Sequence, residues 1–327
     1  MDEHEAGRTK AHWSNGHTGT RSPVTGERRP AATISVDLDP VDVHLRGYGH
    51  IGLSPDPLVH DVALPRLLES FERHRVRATF FVLAREVAPE LRRLAEIAAA
   101  GHEVASHGVD HVRGISTRTA TEIRTELERS RARIELASNC PVVGFRAPDW
   151  SAGLRLVTAL DETGYRYDAS LVPSPALTAG RLLLAARARR LRDVAAVRLP
   201  PSLRRLPFRW AAGDHSIIEF PLAVSPRLRI PLYHTIRPNL SDERFDRHLD
   251  GFVRRGESLS YALHGVDALG LAEDVVDGRL GVHPGMAATL EAKLALLDRT
   301  VAAIASRFDV RPFAERLAPY TDADVIR

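Results

Sequence analysis

The chain has 327 residues, 44% of them hydrophobic, enough for one large α/β domain or two small ones with a sizeable core. Its single cysteine, Cys140, excludes an intramolecular disulfide and a Cys-rich zinc site, so any metal must be held by histidines and carboxylates. The formal net charge of +3, with Lys10 and Lys293 the two lysines among many arginines, is too small to call for nucleic acid.

No apolar run reaches the ~18–20 residues that span a bilayer. Residues 1–30 mix Gly, Ser, Thr, His and charges without apolar periodicity and read as a disordered tail. They carry no apolar signal-like core, so a cytoplasmic location is the expectation. The catalytic domain is expected over 31–320. It opens with a strand over 31–36, followed by Asp37 and Asp39. Residues 61–74 have helical spacing, with Val62, Leu64, Leu67, Leu68 and Phe71 apolar. A buried strand follows over 78–83. Pro89 opens the next helix, which Gly101 ends as a C′ glycine. Residues 103–106 form a strand that delivers His107. Thr119 and Glu122 have capping-box spacing at the head of a helix carrying Ile123, Leu127 and Ile134. A strand over 142–145 ends at Arg146, a helix over 153–163 ends at Gly164, and a strand runs over 165–171. Two further strands are expected over 217–220 and 259–263. A long amphipathic helix over 286–308 buries Leu290, Leu294, Leu297, Val301, Ile304 and Phe308.

This alternation means an α/β fold with a mainly parallel sheet, open or barrel-like. In such folds the sites lie at the C-terminal ends of strands. Asp37, Asp39, His107, Arg146, Asp168 and His264 all fall there. One stretch breaks the rhythm: a Leu/Arg-rich insertion near 175–212, with Asp193 the one acid of 181–209. Covering the site and peripheral membrane contact are two readings of it. A solvated Arg-rich helix packed on the domain is the third and the expected one, because basic amphipathic segments are common without membranes.

His107-Gly-Val-Asp-His111 places two imidazoles four residues apart, which share a face on a helical turn or tight loop and can bind one ion. Asp37-Leu-Asp39, directly after a strand, can divide labour between metal binding and proton transfer. Taken alone, the Asp-x-Asp also fits an Asx turn, a haloacid-dehalogenase-type phosphatase or a manganese–nucleotide motif. The phosphatase needs a cation beside the phosphate, usually lysine. Lys10 sits in the tail and Lys293 in an amphipathic helix, and both of these readings leave the histidines idle.

The ordered set of strand–Asp-x-Asp, strand–His-x-x-x-His, Phe145-Arg146-Ala147-Pro148-Asp149-Trp150, Tyr165-Arg-Tyr167-Asp168 and Tyr261-Ala-Leu-His264 resembles the polysaccharide deacetylase family, also called the NodB-homology or carbohydrate esterase family four. The resemblance covers roughly residues 31–315. It implies a distorted (β/α) barrel that removes an acyl group, expected to be acetyl, from the nitrogen of an amino sugar. It implies a divalent ion, zinc foremost with cobalt, nickel or manganese accepted, on Asp39, His107 and His111. Asp37 would be the base, held by Arg146. The Asp149 N–H would help bind the oxyanion. Tyr167 would shape a pocket wall, Asp168 would orient the imidazole of His264, and His264 would protonate the leaving amine. Trp150 and Trp210 offer rings that can stack on a sugar, with core packing the expected role of both. His234 and His283 are expected to be structural or substrate-facing.

Two departures stand out. The family's Thr-Phe-Asp-Asp-Gly-Pro is Ser35-Val36-Asp37-Leu38-Asp39-Pro40 here, and the usual Tyr after Pro is Asp149. A spaced Asp-x-Asp is similar to the branch with intracellular peptidoglycan-deacetylase-like proteins and lipid-linked aminosugar deformylases. The lack of a signal-like core and the Leu/Arg-rich segment over 181–209 make a small or lipid-linked glycoside the expected substrate. A cyclic-imide or ureide hydrolase of the same superfamily and a non-catalytic carbohydrate-binding module are the alternatives.

Overall fold

The computed structural model describes residues 29–85, 91, 93–179, 199–320 and 325–326. The N-terminal tail to residue 28, Pro89 and residues 180–198 of the Leu/Arg-rich insertion lie outside it. The strands are β1 Ala31–Asp37, β2 Thr79–Val82, β3 Glu103–Ser106, β4 Gly144–Phe145, β5 Tyr167–Asp168, β6 Phe208–Ala212, β7 His215–Glu219, β8 Leu259–His264, β9 Asp309–Val310 and β10 Val325–Ile326. The α-helices are α1 Val41–Gly47, α2 Leu64–Arg73, α3 Leu94–Ala99, α4 Ala120–Ser138, α5 Leu154–Glu162, α6 Asp242–Arg254 and α7 Leu290–Arg307.

The strands form one sheet in the order β10-β6-β7-β5-β4-β3-β2-β1-β8, with β9 added to the start of β1. Every pair is parallel except the β6–β7 hairpin. The expected barrel is thus a curled, open half-barrel, since among the described residues β8 does not pair back to the far edge. β1 is buried at every position after Ala31, as a central parallel strand covered on both faces must be. Phe71, Phe80, Ile97, Ile123, Leu160 and Ile304 join the helices to one face of the sheet. The other face is filled by a smaller cluster that includes Phe81, Ala105, Tyr167, Ala169, Phe220 and Phe313.

Local chemistry accounts for the element ends. Thr119 and Glu122 close the expected capping box of α4. Gly101 takes φ +80 after α3, the left-handed geometry of a C′ glycine. A π-turn, Val59–Ala63, precedes α2. Pro65 has no N–H to give the carbonyl of Asp61, so the α register fails at that point. Two expectations change. The strand over 165–171 shrinks to Tyr167–Asp168. Part of the presumed insertion is strand β6, hairpinned to β7 through Gly213, which has φ +63.

Candidate metal centre

Parallel strands deliver the site. β1 ends at Asp37 with Asp39 just beyond, β3 ends before His107, β4 ends before Arg146, and β8 ends at His264. Asp37 and His264 are register partners on adjacent strands, so both sit at one level of the sheet.

Asp39, His107 and His111 offer ligand atoms that all lie within 4.8 Å of one another. His107 Nε2 is 3.6 Å from Asp39 Oδ1, and His111 Nε2 is 3.7 Å from Oδ2. Donors bound to one ion at about 2.0–2.1 Å stand no more than about 4.2 Å apart, which the two Asp39–histidine separations meet and a small closing of the set would complete. Asp39 Oδ1 is buried without a hydrogen-bond partner among the described residues, as a waiting ligand atom would be. His107 Nδ1 lies 2.8 Å from the Arg146 carbonyl. A carbonyl only accepts, so Nδ1 carries the proton and Nε2 keeps its lone pair for a metal. Burial pushes the pKa of both histidines down, which keeps the imidazoles neutral. Burial pushes Asp39 up, with Asp37 and Asp149 acting the same way.

The ligands ride on a tight loop rather than a helical turn. His111 has φ +50 and Gly108 has φ +89. A Cβ on Gly108 would meet Glu126 Oε1 at 3.0 Å, the atom that accepts the Val109 N–H at 2.6 Å. Buried Arg85 braces the loop from the other side. It bonds both Asp42 oxygens and reaches Asp110 Oδ1 at 3.2 Å.

Asp37 is held by a single buried cation. Arg146 Nη1 donates to Asp37 Oδ1 at 2.5 Å, Nη2 to Ser35 Oγ at 2.9 Å, and Nε to the Ala169 carbonyl at 3.1 Å. Its guanidinium lies between the rings of Phe81 and Trp150, 4.0 and 4.7 Å from their centroids. Burial is the largest influence and opposes a charge on Asp37, but the charge and hydrogen bond of Arg146 with the other neighbouring groups together outweigh it. The carboxyl therefore stays below its usual range and is a carboxylate at neutral pH.

His264 Nδ1 meets Thr235 Oγ1 at 3.3 Å, and its backbone N–H donates to Asp267 Oδ2 at 2.8 Å. Its ring stands 5.7 Å from His44 and 6.5 Å from His283, and those two rings are 5.1 Å apart. Tyr48 OH lies 2.9 Å from His283 Nδ1. Burial drives His44 well below its ordinary pKa and His283 down to about 4, so both are neutral. Sequence reasoning missed His44, Tyr48 and Thr235. His44 lies five residues beyond Asp39 on the short helix behind Pro40, the one local signal for it.

Two of the expected site residues, Asp168 and Tyr167, fall differently. Asp168 does not orient His264. It is the register partner of Phe145 and Glu219, on the helix-facing side of the sheet, and its Oδ1 takes the Ser170 hydroxyl. It also hydrogen-bonds Glu219, which requires one proton between the two carboxyls. Burial pushes Asp168 up to about 6 and Glu219 well above its ordinary value. Glu219 ends β7, and the same strand-end rule that found the other residues would have found it. Tyr167 does not face a substrate. It is fully buried one layer beneath the site, and its hydroxyl donates to Glu103 Oε1 at 2.9 Å. Trp150 has one face committed to Arg146 and packs beside Val172, Leu222 and Ala262. Asp149 has φ +55 and bonds Arg113, and its backbone N–H has no partner among the described residues.

Residues 54–167 match the family model for polysaccharide deacetylase. That segment, about a third of the chain, is similar to the polysaccharide deacetylases. His107, His111 and Arg146 lie inside the matched segment, and Asp37, Asp39 and His264 lie outside it. The chain is 30% identical over 142 residues to a peptidoglycan deacetylase of Helicobacter pylori, covering 42% of this chain and 48% of that protein. It thus spans about half the length of this curated relative. Its fold matches a Mycobacterium smegmatis structure assigned to the polysaccharide deacetylases, at TM-score 0.58 and 20% identity over 94% of this chain and 97% of that one. It also matches the Puue allantoinase at TM-score 0.55 and 15% identity over 92% of this chain and 94% of that one, and a probable polysaccharide deacetylase of Pseudomonas aeruginosa PAO1 at TM-score 0.55 and 16% identity over 91% and 92%.

Proposed function

We propose that this chain is a metal-dependent N-deacetylase of acetylated amino sugars, with zinc as the ion. The carrying observation is the buried Asp39–His107–His111 cluster beside an ionised Asp37 clamped by Arg146. The peptidoglycan deacetylase relative supports an N-acetylated glycan as the substrate class. The spaced Asp-x-Asp and Asp149 favour a small or lipid-linked glycoside within it.

A divalent ion, when bound, supplies Lewis acidity to the scissile carbonyl and acidifies the attacking water. Asp37 accepts the proton of that water through the oxygen that Arg146 leaves free. Arg146 fixes the carboxylate rotamer and keeps it ionised. The Asp149 N–H donates to the oxygen that gains charge as the carbonyl becomes tetrahedral. Thr235 holds His264 Nδ1, which leaves Nε2 to give its proton to the departing amine. The C–N bond breaks as that proton transfers, and acetate and a free amino sugar leave.

The test is acetate release from N-acetylated oligosaccharides and lipid-linked acetamido sugars by zinc-loaded protein, with bound metal measured on the same samples. Wild type is expected to hold about one ion per chain and to release acetate. His107→Ala is expected to lose both. Full metal in His107→Ala, or metal-loaded wild type inert on every acetamido sugar yet active on a ureide ring, would sink the proposal.

A further inference from the structure

A second recess lies behind the strand that carries His264, away from the metal cluster. It is a pocket of about 360 Å³ between α6, α7 and the segment that holds Thr235. Lys293, the one lysine of the described residues, lines it and is only 8% exposed. Its ammonium donates to the Val266 carbonyl and to Met286 Sδ, both at 2.9 Å. A thioether is a weak acceptor, and among the described residues no carboxylate stands within ion-pair distance of this nitrogen. Burial pulls its pKa down, and Asp267, Asp274 and Glu273 oppose that from further off. Asp274 is already engaged by Arg66, Glu273 by the Leu290 N–H, and Asp267 by the His264 N–H. Lysine is almost never buried without a charge partner, because an unpaired buried cation is costly.

The other lining groups set the charge of the missing partner. Arg237 and Arg299 both pair with Asp242 at the pocket rim. His234, buried and bonded to Tyr261 OH at 3.2 Å, is kept neutral by burial. Three cations, Lys293, Arg237 and Arg299, face two anions, Asp242 and Asp267, which leaves one uncompensated positive charge. Leu240, Leu296 and Ala288 make part of the wall apolar. A monoanion with a short apolar body matches this chemistry, whereas a dianion would leave a net negative charge in a half-buried pocket. A volume near 360 Å³ lies at the lower end of the range for small-molecule sites.

We infer that this pocket binds a small carboxylate, seated on the Lys293 ammonium, as a second ligand site distinct from the metal centre. The ligand is a monocarboxylate with a short alkyl tail, and it shares a wall with His264 through Asp267.

The lysine count makes the test clean. The full chain labelled with carbon-13 lysine gives two ε-methylene signals, from Lys10 and Lys293. Lys10→Arg assigns them without touching the pocket. Sodium acetate and sodium butyrate are titrated at fixed pH and ionic strength, with sodium chloride and inorganic phosphate as controls. The Lys293 signal is expected to move saturably, with butyrate binding more tightly than acetate, while Lys10 stays still. No movement of Lys293, equal movement of both lysines, an equal response to chloride, or tighter binding of phosphate would each overturn the inference. Because nothing in this readout depends on turnover, a failed deacetylase assay leaves the result intact, and the converse also holds.

Discussion

At the scale of single residues, two neighbours one layer apart make opposite predictions. Asp37 touches the reacting water in the proposed mechanism, and Arg146 is its one strong partner. Asp37→Asn keeps the shape and still offers an oxygen to Arg146, but it cannot take a proton. Turnover is expected to fall about 10²–10⁴-fold, the usual worth of a general base, with bound metal unchanged. A loss of metal in step with activity would instead make Asp37 a ligand. Tyr167 carries the opposite expectation. Its hydroxyl serves half-buried Glu103, which also takes the Thr79 hydroxyl. Tyr167→Phe leaves one Glu103 oxygen short of a donor and is expected to cost about 1–3 kcal/mol of stability with KM unchanged. Chemical denaturation and steady-state kinetics read the two effects separately, and a raised KM at full stability would return Tyr167 to the substrate wall.

At the scale of elements, β4 links packing to chemistry. It is two residues long, and its Gly144 lies against the Tyr167 ring so closely that an added Cβ would sit 1.9 Å from Tyr167 Cζ. The ring is sealed by Phe220 and Phe313 and cannot swing aside. Gly144→Ala is therefore expected to cost about 1–3 kcal/mol or more, since the strand must shift. Arg146 follows directly and its carbonyl orients His107, so metal affinity should fall along with the denaturation midpoint. An unchanged midpoint would mean that the strand yields freely. The same strands explain what could be read from the sequence. Asp37, Asp39, His107, Arg146 and His264 were legible because each follows a buried apolar run, and a parallel sheet aligns such ends. Side-chain alternation carries a further signal: neighbours on one strand face opposite sides, so Tyr167 and Asp168 cannot both line one pocket. β6 was illegible because Phe208–Ala212 sits at the end of an arginine-rich stretch and shows one buried position in five. The cluster of His44, His264 and His283 joins parts of the chain far apart in sequence, and no local pattern announces such a meeting.

At the scale of the whole molecule, the histidines make the fold sensitive to acid. His60, His102 and His283 each have a pKa pushed down to about 4, in every case chiefly by burial. The unfolded chain takes up these protons near the ordinary value of 6.5, so it binds more protons than the native state in between. The stability these neutral rings hold at pH 7 therefore starts to fall below 6.5 and is spent by about pH 4. The buried acids Asp168 and Glu219 work the other way, because their raised values favour the protonated, folded form as pH falls. The overall curve mixes both signs, so the clean measurement is a difference between variants. His60 is fully buried, and neither ring nitrogen has a partner among the described residues. His60→Leu removes one titrating group and fills the site with apolar atoms. Relative to wild type its advantage should grow by about 1.4 kcal/mol for each pH unit between 6.5 and 4, the free energy of one proton, and then level off. Urea midpoints at a series of pH values measure it. A constant difference across that range would mean that His60 is already charged in the native protein, and that a buried partner for it exists.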